Sequence, residues 1–329
     1  MKTQSLSLGL ASVGAMICAT TAIAQTPTLN VLTYDSFTSE WGPGPAIETA
    51  FEAECACDLV FTGAGDGAAL LARLQLEGTR TDADIVLGLD TNLTAAARET
   101  GLFAPHGVDA DLTLPVAWDD DTFLPFDWGY LAFVANKDTV PVTSFADLAA
   151  SDLSVVIEDP RSSTPGLGLL MWVHAVHGDD AGQIWTDLAD NIVTVTPGWT
   201  EAYNLFLEGE ADAVLSYTTS PAYHLIAEDD DTKTSWAFDA GNYLQVEVAA
   251  KVANTDQSDL ADQFMAFIAT PAFQGVIPET NWMYPATDAP LPEGFDTLTV
   301  PAKGLLLSSE DAATLRDGLV ETWRTALSQ

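Results

Sequence analysis

Apolar and polar positions along this chain switch between two rhythms. Short runs that are continuously apolar or alternate in twos predict strands; stretches with apolar residues three and four apart predict helices. In the first third, 29–33 reads as a strand and 45–54 as a helix with Ile47, Ala50 and Phe51 on one face. Residues 58–62 form a second strand, and a helix follows Gly67. Residues 83–89 form a third strand, apolar enough to be buried, and 92–100 is helical. This β-α-β-α-β order predicts a parallel sheet with crossover helices.

The middle repeats the style with different residues. Strands are expected at 128–135, 155–157, 193–195 and 213–216, with a long β segment at 243–252. Helices are expected at 166–177, 181–189, 201–208 and from about Ser220 onward. The end is helical at 260–269, 271–276 and 309–327, the last opened by Ser308 and Ser309 ahead of Glu310 and Asp311. No internal repeat or long flexible linker interrupts the series.

Composition refines this picture at three points. Lys2 precedes a diluted apolar run from Leu6 to Ala24 that ends in Ala22-Ile23-Ala24, the pattern of a cleavable secretory leader over 1–24. Ser7, Ser12, Thr20 and Thr21 and the lack of a basic stop-transfer cluster argue against a membrane anchor. Cys18 lacks the small preceding residue of a lipoprotein site. The formal charge is −37, and losing Lys2, the leader's one charged side chain, takes it to −38. That sign excludes nucleic acid as a partner and favours a cationic ligand, although most of it reads as a solvated surface, as in the run Glu228-Asp229-Asp230-Asp231. Cys55 and Cys57 survive removal of the leader. They could pair as a disulfide that closes almost no loop; a metal site lacks partner residues nearby in sequence.

Enzyme motifs are missing: there is no nucleophile elbow, phosphate-binding loop or zinc-binding helix. His106, His174, His177 and His224 read as surface or packing residues. Gly63-Ala64-Gly65-Asp66-Gly67 sits between strand and helix, as a dinucleotide loop would, but the third glycine is displaced and Asp66 would repel a pyrophosphate. It reads better as a turn that presents one carboxylate. Two segments resemble ligand-holding helix starts: 159–166, with Thr164 as cap and Pro165 as first helical residue, and 216–223, with Ser220 and Pro221 in the same order. Tyr34, Trp41, Trp199, Tyr217, Tyr223 and Trp282 fall at element ends or in loops, where aromatic faces can hold flat heterocycles and organic cations.

At these segments the sequence resembles the periplasmic thiamine-binding proteins of bacterial ABC transporters. The matching stretches are TYDSF (33–37), WGPGP (41–45), DG (66–67), ADIVLGLD (83–90) and DPRSSTPGLGLL (159–170). GWTEAYNLFLEGE (198–210), LSYTTSPAYH (215–224), YLQVEVAA (243–250) and NWMYP (281–285) continue the match. The resemblance implies an α/β, two-lobed type II periplasmic-binding-protein fold with a hinge and an interlobe ligand cleft. Lobe 1 would comprise 25–125 plus 253–329, and lobe 2 would comprise 126–252, with crossings near 123–130 and 245–252. It further implies a periplasmic, monomeric protein without catalytic residues, metal or cofactor. Such a protein would capture thiamine and its phosphate esters for an ABC permease in the inner membrane.

By the same resemblance, Tyr34, Trp41, Asp66, Gly67, Ser163, Thr164, Trp199, Tyr217, Thr218, Thr219, Ser220, Tyr223 and Trp282 are expected to line the cleft. Tyr34, Trp41, Tyr223 and Trp282 would pack on the rings, and Asp66 would bond the amino group or offset the cation. Ser163, Thr164, Trp199 and the 217–220 turn would hold the hydroxyl or phosphate end. The turn before Asp66 is richer in glycine than the family leads one to expect. A binder of another organic cation, such as a polyamine, is the nearest alternative and would need carboxylates at both ends of its ligand. A secreted thiamine-modifying enzyme would need a nucleophile with an activating base.

Overall fold

The structure, a computed structural model, describes residues 26–328; the expected leader lies outside them. Twelve strands follow in order: β1 (Thr28–Thr33), β2 (Asp58–Gly63), β3 (Ile85–Asp90), β4 (Phe103–Ala104), β5 (Leu124–Asn136) and β6 (Val155–Glu158), then β7 (Ile192–Thr196), β8 (Ala213–Tyr217), β9 (Lys233–Ser235), β10 (Asn242–Val252), β11 (Tyr284–Pro285) and β12 (Gly304–Leu305). The main path runs β2-β1-β3-β10-β5-β8-β6-β7. β1 pairs in parallel with β2 and β3, as the alternating order of strands and helices predicts, and β6 pairs in parallel with β7 and β8. β10 is antiparallel to both β3 and β5.

The two long strands join two α/β lobes. The first half of β5 (Leu124–Tyr130) pairs with β10, whereas its second half (Leu131–Ala135) pairs with β8. The turn from one sheet to the other falls between Tyr130 and Leu131. There the side-chain amide of Asn242, at the start of β10, donates to the carbonyls of Leu131 (2.8 Å) and Trp236 (3.1 Å). These bonds satisfy backbone oxygens that the ladder leaves open.

Continuous apolar runs become central strands. All six residues of β3 are buried, and so are all eleven of β10, the pattern of strands covered on both faces. One core packs Ile47, Phe51, Phe264 and Phe273 against β1 and β3. The other gathers Trp172, Phe145, Phe238 and Phe133. The terminal helix Ser309–Leu327 packs on Thr94–Glu99 as well as on Ala181–Leu188 and Thr164–His177, and so touches both lobes.

Two local expectations change, at the Thr164 cap and at Glu228, and the pairing of the two cysteines, left open by the sequence, is resolved. The helix Thr164–His177 is capped by Ser163, whose hydroxyl accepts from the Gly166 N–H; Thr164 is already helical. Pro165 therefore takes the second helical position, where its missing N–H costs nothing. Cys55 and Cys57 form a disulfide across Ala56, which turns at φ 52° between a helix end and β2. Glu228, at the head of the acidic run, is not merely solvated: it accepts from the Tyr223 hydroxyl (2.9 Å) and contacts His224 Nδ1 (2.7 Å).

Candidate functional site

A cleft of about 290 Å³ opens between the lobes, at the small end of the range for organic ligands, about 300–1,000 Å³. Nine of the thirteen residues expected at the site line it: Tyr34, Trp41, Asp66, Thr164, Trp199, Tyr217, Ser220, Tyr223 and Trp282. Gly67, Ser163, Thr218 and Thr219 stand behind the lining, each buried.

Aromatic rings form two groups. Trp199 stacks on Tyr203 (4.9 Å, 28°), and half-exposed Trp41 lies 6.4 Å from Trp199. Tyr223 meets Trp282 nearly edge-on at 5.6 Å. Trp282 holds φ at 55°, a left-handed conformation that a bulky residue adopts only when its surroundings fix it; its N–H donates to the Ile277 carbonyl. Tyr34 is buried, with its ring lying over Gly88. Gly88 has φ +103°, and any Cβ there would run into that ring.

Asp66 directly precedes the helix Gly67–Glu77 and points its carboxylate away from it. Its Oδ2 accepts the Trp199 N–H (3.1 Å) at the first turn of the helix Trp199–Leu207. The Gly67 N–H donates to Thr164 Oγ1 (2.9 Å) and the Ala69 N–H to the Ser162 carbonyl (3.0 Å). All three bonds run from one lobe to the other, so the structure is a closed arrangement. Gly67 is required at this seam, since a Cβ would come within 2.7 Å of both the Gly88 carbonyl and Thr164 Oγ1. Withdrawal from water between the lobes raises the Asp66 pKa to about 6, against the hydrogen bonds from Ser163 and Trp199.

Behind the rings lies a polar layer. Trp199 Nε1 donates to Ser216 Oγ (2.8 Å), which is 2.7 Å from Ser220 Oγ. Ser220 therefore spends its hydroxyl on the 216–220 turn, where its oxygen also takes the Tyr217 N–H, and does not cap its own helix. The Tyr217 hydroxyl donates to Gln245 Oε1 (2.8 Å), and Gln245 Nε2 donates to Glu247 Oε1 (2.8 Å). Asn281 Nδ2 donates to both the Tyr34 hydroxyl (2.8 Å) and Asp127 Oδ2 (2.6 Å). Burial raises the pKa values of Asp127, Glu158 and Glu247, and lifts Asp90 to about 7.

Glu247, Asn281, Tyr203, Asn204 and Met283 line the cleft without having been singled out from the sequence. Asn281 sits beside Trp282 in a matched stretch, and Tyr203 falls within another. Glu247 too lies in a matched stretch, 243–250, as the one acid in a long apolar strand, and that interruption is the signal that could have found it. Among the described residues that line the cleft there is no Lys, Arg or His. The arrangement suits a flat, positively charged, partly hydrogen-bonding ligand: rings offer faces, carboxylates offer charge, and amides and hydroxyls offer direction.

Comparisons agree in kind. The sequence profile of the bacterial extracellular solute-binding proteins matches residues 43–275. The thiamine-binding periplasmic protein of Escherichia coli is 50% identical over 319 residues, covering 95% of this chain and 97% of that protein. The protein of the same description from Brucella suis is 48% identical over 331 residues, 98% of this chain and 99% of that one. A solved periplasmic thiamin binding protein superposes with a TM-score of 0.91 at 49% identity, covering 98% of this chain and all of that one. A ferric binding protein from Campylobacter jejuni shares the fold alone, with a TM-score of 0.72 at 17% identity over 91% and 99% of the two chains.

Proposed function

The chain belongs to the bacterial extracellular solute-binding proteins, and from that premise we propose that it captures thiamine and its phosphate esters in the periplasm and delivers them to an ABC permease in the inner membrane. It is a binding protein and not an enzyme, in keeping with its relatives. The carrying observation is a cleft whose aromatic faces and buried carboxylates suit a cationic heterocycle and which has no cationic side chain in its lining. The thiazolium would lie among the rings of Trp41, Tyr34, Tyr223 and Trp282, and Asp66 would take the aminopyrimidine. The hydroxyl or phosphate end would meet Thr164, Ser220 and the start of the helix at Trp199, where the N–H groups that Asp66 does not take favour oxygen ligands. Gly67, Ser163, Thr218 and Thr219 would shape that end from behind.

The protein would act as a monomer without metal or cofactor. Its lobes, 25–125 with 253–329 against 126–252, would swing about β5 and β10. Ligand contacts from both lobes would stabilise the closed form that the permease reads. A polyamine is the competing ligand, since Asp66 and Glu247 supply two carboxylates to one cleft.

Titration of the mature protein with thiamine, its mono- and diphosphate and spermidine tests this, following fluorescence of the cleft tryptophans. Saturable binding of a thiamine form with Kd of about 1 μM or tighter, with the ligand recovered unchanged, is the expected result. Response to spermidine alone, or conversion of thiamine, would overturn it.

A further inference from the structure

Three carboxyls stand side by side across the hinge strands. In the ladder, Glu247 of β10 lies directly opposite Asp90 of β3 on one side and directly opposite Asp127 of β5 on the other. Like charges at facing positions repel, and this row is out of water: Asp90 and Asp127 are fully buried and Glu247 is 6% exposed. Asp90 is satisfied, because the Asn92 N–H and side-chain amide cover both of its oxygens. The other two are not. Glu247 Oε2 and Asp127 Oδ1 have no hydrogen-bond partner, and Glu247 faces the cleft. The other groups acting on Glu247 are the Tyr34 hydroxyl just after β1, a hydrogen-bond donor that favours the ionised form, and Asp66 at the head of its helix, which disfavours it; Tyr217, at the end of β8, also lies in its field. No cation among the residues lining the cleft balances them.

A buried carboxylate with an unfilled oxygen and no counter-ion is costly unless it is neutral or a cation reaches it. We propose that Glu247, backed by Asp127, is a cation-exchange group at the bottom of the cleft: the pair carries a proton while the cleft is empty and releases it to solvent when a positively charged ligand arrives. Glu247 is then the residue that distinguishes a cationic ring from a neutral ring of the same shape, and Asp127 is a positioning residue that keeps Glu247 protonated until that moment. The sign follows directly. The ligand favours the ionised pair and the empty protein the protonated one, so affinity rises with pH until the empty pair ionises. One proton per ligand corresponds to up to about tenfold in affinity per pH unit.

This inference rests on thiamine as the ligand, and the experiment separates the two. Calorimetric titration of the mature protein with thiamine, in two buffers of different ionisation enthalpy at about pH 8, counts the protons released. At that pH Asp66, with a pKa of about 6, is already ionised and contributes almost none. Wild type is expected to release a substantial fraction of one proton. Glu247→Gln is expected to release none and to bind thiamine at least tenfold more weakly, while binding the neutral thiophene isostere of thiamine as well as wild type does. Asp127→Asn is expected to keep thiamine binding and lose most of the proton release. Thermal melts confirm that both variants fold. Thiamine binding without proton release, or equal loss of both ligands in Glu247→Gln, overturns the exchange group; no thiamine binding by wild type at any pH overturns the ligand assignment instead.

Discussion

Replacing Asp66 by asparagine keeps an oxygen for the Trp199 N–H and removes only charge. The pKa of about 6 then gives the variant a pH signature. At pH 8 wild-type Asp66 is ionised, and Asp66→Asn should weaken thiamine binding about five- to tenfold, the effect of roughly 1 kcal/mol from a partly buried charge contact. At pH 5 wild-type Asp66 is itself protonated, so the two affinities should converge. Fluorescence titration at both pH values checks this; equal affinity at pH 8 would remove Asp66 from the cation's surroundings. Asp66 was legible because it sits in a turn between a strand and a helix, where a carboxylate has no core to serve. Glu247 was legible only as an acid that interrupts an apolar strand; what makes it unusual is what stands opposite. Its neighbour Asp127 lies far away in sequence and meets it only through the register of two long strands, which no local pattern encodes.

The short helix Pro221–Ala227 does more than enter the cleft with Tyr223. His224 is buried between the Tyr203 hydroxyl (Nε2, 3.0 Å) and Glu228 (Nδ1, 2.7 Å), and Glu228 also takes the Tyr223 hydroxyl. One carboxylate at the helix end thus steadies a ring from each aromatic group, Tyr203 beneath Trp199 and Tyr223 against Trp282. Glu228→Ala should weaken thiamine binding about three- to tenfold. Because Glu228 is exposed, the melting temperature of the ligand-free protein should stay within about 2 °C. Affinity unchanged, or a large fall in melting temperature, would contradict that role. At this scale the sequence was readable where periodicity decides. Every long strand and helix was expected within a few residues of its place, since buried runs such as β3 and the amphipathic helix Ser258–Ile268 announce themselves. The two-residue strands β4, β11 and β12 were not expected. They pair only because neighbouring backbone passes close by, and their own residues carry no strand signal.

Across the whole molecule, the acids fall into two populations with opposite consequences for stability. Asp120, Asp159 and Glu228 have pKa values lowered by hydrogen bonds from neighbouring groups. They favour the folded state above the ordinary carboxylate range and lose that effect as pH falls through their own lower values, but as partly or largely exposed groups they are worth little. Asp66 and Asp90, raised to about 6 and about 7, and Asp127, Glu158 and Glu247, raised by burial, act the other way. Their contribution is complete below about pH 4 and is lost as pH rises through each raised value. The ligand-free protein should therefore melt highest in mild acid and progressively lower from about pH 5 to pH 8. Repulsion within a chain of formal charge −37 pushes the same way, but long-range repulsion is screened at 1 M salt, where the Debye length is about 3 Å, whereas buried carboxyls are not. A fall in melting temperature between pH 5 and pH 8 that persists in 1 M salt isolates the buried group, and a flat or rising profile there would refute it. Thiamine should narrow the fall, because a cation in the cleft stabilises the ionised acids that closure otherwise leaves without a partner.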